Sequence, residues 1–329
     1  MHKGIKTRDH GGGLDTAVAE FGGVRADWLD LSTGINPVPY PLPDLPASSW
    51  TALPDRAAMN RLLSAARLFW NVPDSAQIVA APGASAIIAR LPYLTDRTAR
   101  AYIPGPTYNE HAAAVQATGT MQLTDDPDNA LMHTYVHPNN PDGRLWAARH
   151  MGGRPLTVID ESFCDVCPEN SLVHLTQDKR IVVLKSFGKF WGLAGLRLGF
   201  AIAHPQTLSP EIQNTPTPSL HDHLGPWAVS GPALEVGAQA LENHAWAEET
   251  RDRLTADAAR LDRIVTGHGA ELVGGTTLFR LYKVPDAKAW QDRLARHHIW
   301  TRIFPYSRTW LRLGLPDHTG WDRLEAALA

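Results

Sequence analysis

Between residues 57 and 70 the run AAMNRLLSAARLFW places its apolar residues at the three-and-four spacing of an amphipathic helix. Beyond it, short apolar runs alternate with helical ones. QIVAAPG leads into ASAIIARLPYL, and ARAYIPGP leads into TYNEHAAAVQATG. LMHTYVHPNNPDG, PLTVIDESF, RIVVLKSFGK and RLGFAIA follow, apolar runs of strand length, most of them ending in polar residues. This alternation predicts an α/β fold with a large doubly wound, mostly parallel sheet. Such sheets bind ligands at the carboxyl ends of their strands, where the chemically capable residues of this chain stand.

After HPQTLSPEIQNTPTPSLHDHLGP the pattern changes. GPALEVGAQALENHAWAEETRDRLTADAARLDRIVTGHG reads as one long amphipathic helical stretch. TTLFRLYKV, AKAWQDRLARHHIW and TWLRLGLP then predict a smaller α+β domain. Residues 1 to about 55 are rich in Gly and Pro and read as an extended arm with turns.

Composition narrows the function classes. The formal net charge of the 329 residues is -3, with Lys and Arg scattered, so no basic stripe points to nucleic acid or to an anionic membrane. No apolar run reaches membrane-spanning length, and the start MHKGIKTRDHGGG lacks an apolar signal core, so a cytoplasmic location is expected. The two cysteines, Cys164 and Cys167, suit a reducing compartment. Their C-x-x-C has no second ligand pair for zinc, so no metal is expected, and both read as small apolar packing groups. The 11 tryptophans and the histidines of HDHLGP and RHHIW read as packing or surface residues.

Chemistry concentrates around VVLKSFGKFWGLAGLRLGF, residues 182–200. Lys189, after a strand end, is a residue that can form a Schiff base with an aldehyde. Asp160, ending the run TVID, can pair with a protonated pyridine nitrogen, or else serve as a helix cap. Ser186 and Arg197 flank Lys189 and can hold a phosphate, the arginine through its planar fork. Gly83, Ala84 and Ser85 stand where a strand gives way to a helix, whose first N–H groups favour an anion. Tyr108 can stack on a flat ring, and Asn140 can donate to a ring hydroxyl. Any one of these residues has an ordinary structural reading; their order and spacing together do not.

The set PGAS, PTY, NNPDG, DESF and SFGKFWGLAGLRLG resembles the pyridoxal-phosphate enzymes of the aspartate aminotransferase fold, fold type I, across nearly the whole chain. The resemblance implies pyridoxal 5'-phosphate as cofactor, Lys189 as its aldehyde-binding lysine and Asp160 as partner of the pyridine nitrogen. It further implies Tyr108 as the stacking residue, Asn140 at the ring hydroxyl, and Ala84, Ser85, Ser186 and Arg197 around the phosphate. It divides the chain into an arm over residues 1–35 serving the small domain and active site, a large cofactor-binding domain over 36–215 and a small domain over 216–329. It also implies a homodimer with active sites near the subunit interface.

DHGGGLD, WLDLSTGINPVPYP, LGPWAVSGPAL, GGTTLFRL and LRLGLP are similar to segments of the threonine-phosphate decarboxylases of cobalamin synthesis. That likeness implies decarboxylation of L-threonine O-3-phosphate to (R)-1-amino-2-propanol O-2-phosphate, with a histidinol-phosphate-type aminotransferase as the alternative. It implies His10, Gly11, Gly34, Asn140, Arg302 and Arg312 as substrate contacts, Arg302 at the phosphate and Arg312 at the carboxylate. Three departures stand out. Phe163 replaces a Tyr that many relatives carry, so Asn140 alone meets the ring oxygen. Leu53 stands where relatives often have a Tyr reaching the neighbouring subunit's cofactor phosphate. The arm reads HGGG in place of HGGN.

Overall fold

The computed structural model describes residues 9–212 and 215–329; the first eight residues of the expected arm, and 213–214, lie outside the described residues. The chain forms two compact units, one of Val38–Leu254 and one of the residues up to Pro37 together with Thr255–Ala329.

The larger unit is built on a seven-stranded sheet. Its strands are β1 (Gln77–Ala81), β2 (Arg100–Tyr102), β3 (Gln122–Thr124), β4 (Met132–Val136), β5 (Leu156–Asp160), β6 (Ile181–Ser186) and β7 (Gly199–Ala203). Their spatial order is β1-β7-β6-β5-β4-β2-β3. All pairs are parallel except the two that β7 makes, with β1 and with β6. β4, β5 and β7 are buried along their whole length, as expected of strands covered on both faces. The mostly parallel sheet agrees with the sequence expectation.

Alternation along the sheet creates two environments. Lys185, near the end of β6, is 1% exposed, and its Nζ lies 2.6 Å from Glu161 Oε2 and 3.5 Å from Asp165 Oδ1. Burial disfavours the ammonium, but Glu161 and Asp165 outweigh it and hold the amine above its ordinary range. Glu161 also accepts from Ser171 Oγ and Leu172 N. On another side Trp191 is stacked between Phe187 at 5.1 Å and Trp246 at 5.4 Å, so these tryptophans do pack. Trp50 and Trp227, at 70% and 59% exposure, do not.

The long helical stretch is two helices, Gly231–Glu242 and His244–Gly267, broken at Asn243, whose side-chain oxygen caps the second by accepting from Trp246 N at 3.1 Å. The two compact units divide inside the second helix, and Gly231–Glu242 packs on Arg56–Phe69 within the larger unit. Gly231 lies against Ser49 O there, where a Cβ would sit 2.2 Å away. Arg61 spans Glu235 at 3.2 Å and Glu242 at 2.8 Å.

The smaller unit carries a four-stranded antiparallel sheet of β8 (Glu271–Thr276), β9 (Phe279–Lys283), β10 (Arg302–Phe304) and β11 (Ser307–Gly314), in the order β8-β9-β11-β10. The expected extended arm contains a helix, Leu14–Phe21, whose Leu14 and Ala17 pack with Trp28 and Ala295. Leu29–Asp30 then pairs in parallel with Ile299–Trp300. Among the described residues no helix is long and apolar enough to cross a membrane.

Replacing Lys185 by Met leaves two buried carboxylates without their cation. We predict a loss of about 3–5 kcal/mol in chemical denaturation. Adding Glu161→Gln should recover part of that loss.

Candidate active site

The carboxyl ends of β4, β5 and β6 open onto a cavity of about 200 Å³ in the larger unit. Ala84, Ser85, Tyr108, Asn140, Asp160, Ser186, Lys189 and Arg197 all line it, so the structure brings together all but one of the residues assigned to the cofactor. The exception is Gly83, which backs the cavity. Its φ is +87°, and a Cβ there would lie 2.6 Å from Arg197 Nη2. The left-handed φ is what calls for glycine here, and the Arg197 guanidinium packs directly against it.

Asp160 ends β5 and is 2% exposed. Its Oδ2 is 2.8 Å from His111 Nε2, and its Oδ1 accepts from Ser162 N at 3.0 Å and Ser162 Oγ at 2.5 Å. Burial pushes the carboxyl up, but the His111 hydrogen bond and charge, with the two Ser162 bonds, bring it below its ordinary value. The carboxylate thus stays ionised in the interior. His111 and Ser162 were not singled out from the sequence. His111 lies three residues after Tyr108 in the helix Asn109–Ala117, one turn on and so on the same side, and that spacing was the available signal.

Tyr108 precedes that helix, and its ring meets His111 edge-on at 6.1 Å. Burial, Asp160 and Glu110 push its phenol up to about 12, while Ser85 hydrogen-bonds it. Asn140 is set by its neighbour. Asn139 is 1% exposed, accepts from Thr107 Oγ1 at 2.6 Å, and donates to Pro106 O at 3.1 Å and Asp142 Oδ1 at 2.7 Å. Phe163 also lines the cavity, with Lys189 Nζ 5.3 Å from its ring centre. Ser186 Oγ accepts from Gly188 N at 3.2 Å. Arg197 takes the left-handed conformation, φ +53°, and donates to Ala194 O at 3.0 Å. Gly199 follows, where a Cβ would lie 2.3 Å from Ala84 N. The helix Ala84–Ile88 can approach β7 only because that position is glycine.

In the smaller unit His10, Gly11 and Arg302 share a second cavity with Ser32 and Thr301. Arg302 donates to Asp9 Oδ1 at 2.5 Å, His10 O at 2.7 Å and Asp9 O at 3.0 Å. Gly11 lies against Ser32 O, where a Cβ would be 2.4 Å away, and Gly12 N donates to Ser32 Oγ at 2.7 Å. Arg312 and Gly34 do not line this cavity. Arg312 is 5% exposed and donates to Ser32 O at 2.7 Å. Burial and nearby Arg302 lower its guanidinium to about 10, still protonated at neutral pH.

A cavity that joins a lysine, a buried ionised carboxylate, hydroxyls and an arginine beside a helix start is the donor set of an enzyme that binds an aldehyde-bearing, phosphorylated pyridine. The sequence model for aminotransferase class I and II matches residues 136–327. The chain belongs to the class I and II aminotransferase family. Within it, the chain is 40% identical to a threonine-phosphate decarboxylase of Sinorhizobium sp, over 97% of each chain. It is 37% identical to a threonine-phosphate decarboxylase of Pseudomonas aeruginosa, again over 97% of each. Its fold is similar to that of a histidinol-phosphate aminotransferase from Sinorhizobium meliloti in complex with pyridoxal-5'-phosphate, with a TM-score of 0.75, 17% identity and coverage of 95% and 92% of the two chains. Enzymes of this family depend on pyridoxal 5'-phosphate, and the residues present fit it: each chemical part of the cofactor has a partner type in the cavity, and Gly83 and Gly199 leave room at its anionic end.

Two predictions follow from this geometry. A methyl at position 199 must displace the start of the helix at Ala84. Gly199→Ala is therefore expected to weaken cofactor binding about tenfold or more in an absorbance titration, as overpacking of 1–3 kcal/mol would. His111→Phe removes the largest group opposing the effect of burial on Asp160, so that carboxyl protonates at higher pH than in the parent protein. The acid limb of the kcat profile should move to higher pH, with cofactor still bound.

Proposed function

We propose that this chain decarboxylates L-threonine O-3-phosphate to (R)-1-amino-2-propanol O-2-phosphate, the linker of cobalamin synthesis, using pyridoxal 5'-phosphate. The observation that carries this reading is the 40% identity, over 97% of both chains, to a protein named for that activity. The cavity chemistry supports it. A cytoplasmic homodimer belongs to the same reading; Leu42, Trp50 and Leu53, each near 70% exposed, offer apolar surface to a second copy.

When bound, the cofactor supplies an electron sink for the pair released at the substrate's Cα. Asp160, held ionised by His111 and Ser162, favours a proton on the ring nitrogen. Lys189 would hold the cofactor by its aldehyde, and its amine, inside the same cavity, would carry the proton that the substrate's Cα must regain. Ser85, Ser186 and Arg197, with the N–H groups at Ala84, would hold the cofactor phosphate. Tyr108 would cover the ring and Asn140 would meet its oxygen, while Phe163 would give an apolar wall in place of a second donor. Arg302 and His10 take the substrate phosphate, Asp9 yielding its place on the guanidinium to the dianion. Gly11 and Gly34 give backbone access to the substrate, and Arg312 takes the carboxylate. The phosphate would act as a remote handle that orients the substrate so that the bond to the carboxylate, and not Cα–H, is the one broken.

The related histidinol-phosphate aminotransferases share this fold, so transamination is the second reading. Incubation with O-phosphothreonine separates the two. Carbon dioxide and amine should form in equal amounts without a keto acid. Amino transfer to 2-oxoglutarate at a rate equal to or above carbon dioxide release would overturn the proposal.

Borohydride reduction followed by peptide mapping should place the cofactor on Lys189. Lys185, engaged with Glu161 and Asp165, should carry none. Arg302→Ala should lower kcat/KM for phosphothreonine about a hundredfold, a loss of about 3 kcal/mol, and leave the slow reaction of threonine nearly unchanged. Equal losses on both substrates would assign Arg302 to the fold.

A further inference from the structure

The proposed reaction makes no use of the C-x-x-C pair. Cys164 and Cys167 enclose Asp165 and Val166 in the turn that begins at Phe163. Cys167 N donates to Cys164 O at 2.9 Å, which closes a single tight turn. Turns of this kind bring their first and fourth Cα atoms within about 7 Å, overlapping the separation a disulfide spans. Both cysteines are reduced, and Cys164 Sγ donates to Cys167 O at 3.7 Å.

The turn is anchored at its middle. Asp165 accepts from Trp70 Nε1 at 2.9 Å and Trp191 Nε1 at 3.1 Å, and its carbonyl accepts from Arg251 Nε at 2.8 Å. Joining the sulfurs therefore asks for side-chain rotation within a fixed backbone. The two thiols are unequal. Cys164 is fully buried and Cys167 partly exposed. The neighbouring Cys164 side chain holds the Cys167 thiol below its ordinary range, aided by the Lys185 charge and opposed by burial. The Cys167 side chain, with burial and Glu161, pushes the Cys164 thiol up. An accessible, acidified thiol beside a buried, protonated one is the asymmetry of an attacking and a resolving cysteine.

A metal is a poorer occupant. His137, Glu161 and Cys164 offer ligand atoms within 4.8 Å of one another. Yet His137 Nδ1 accepts from Trp146 N, His137 Nε2 meets Asn170 O, and Glu161 is held by Lys185, Ser171 and Leu172.

We propose that Cys164 and Cys167 form a thiol–disulfide exchange site for low-molecular-weight disulfides, Cys167 attacking and Cys164 resolving. The Cys167 thiolate attacks one sulfur of the small disulfide, releasing one thiolate and leaving a mixed disulfide. Cys164 then attacks Cys167 Sγ and expels the second thiolate. The protein loses two electrons and two protons, and the small disulfide leaves as two thiols. The bridge forms one residue from Phe163, whose ring lies beside Lys189, so the thiol state is set at the wall of the cofactor cavity.

The test uses the full chain loaded with pyridoxal phosphate, equilibrated over a series of oxidised to reduced glutathione ratios, quenched in acid, alkylated and mapped by peptide mass. With only two cysteines the reading is direct. The parent protein should lose both alkylation sites together and show a Cys164–Cys167 bridge with no lasting glutathione adduct. Cys164→Ser should accumulate the adduct on Cys167, and Cys167→Ser should form one on Cys164 about tenfold more slowly or less. Thiols that stay alkylatable at every ratio would overturn the proposal. So would a lasting adduct on Cys167 of the parent protein, or equal adduct rates in the two variants.

Discussion

A carboxylate kept ionised inside the protein is the constraint around which the larger unit is arranged. Left to burial, Asp160 would take up a proton. His111 at 2.8 Å and the two bonds from Ser162 prevent that. Each of these partners fixes part of the fold. His111 reaches Asp160 only if the helix Asn109–Ala117 lies over the end of β5, and the same placement brings Tyr108 to the cavity. Ser162 reaches back only if the chain turns as soon as β5 ends, and that turn presents Phe163 to Lys189.

Strand alternation keeps two sets of charges apart. Asp160 faces the cofactor cavity, and its neighbour Glu161 binds Lys185 in the interior. On the next strand Ser186 faces the cavity and Lys185 the interior. Successive residues of a strand point to opposite faces, so one register serves the lining of the cavity and a structural ion cluster at once. A slip by one residue would exchange them.

The sheet was legible because its strands are unbroken apolar runs with polar ends, a pattern that few other arrangements share. The cavity was legible because its residues sit at those ends in a recognisable order. What escaped notice depends on tertiary partners. His111 is an ordinary residue of a helical run until Asp160, 49 positions away, comes within reach. The helix Leu14–Phe21 was hidden between glycine-rich flanks, although Leu14, Ala17, Val18 and Phe21 keep helical spacing. The break at Asn243 follows from one side-chain cap in a stretch whose apolar rhythm continues on both sides. Likewise the division of the units inside His244–Gly267 is decided by what Gly231–Glu242 packs against, which periodicity alone does not disclose.

The central claim is that the bond broken at the substrate's Cα is the one to its carboxylate. Turnover of O-phosphothreonine in deuterium oxide, with substrate and product examined by NMR and mass spectrometry, tests it most directly. The account predicts an amine phosphate carrying one deuterium on the carbon that bore the carboxylate, and remaining substrate without label at Cα. Recovered phosphothreonine labelled at Cα, with no decarboxylated product, would contradict it.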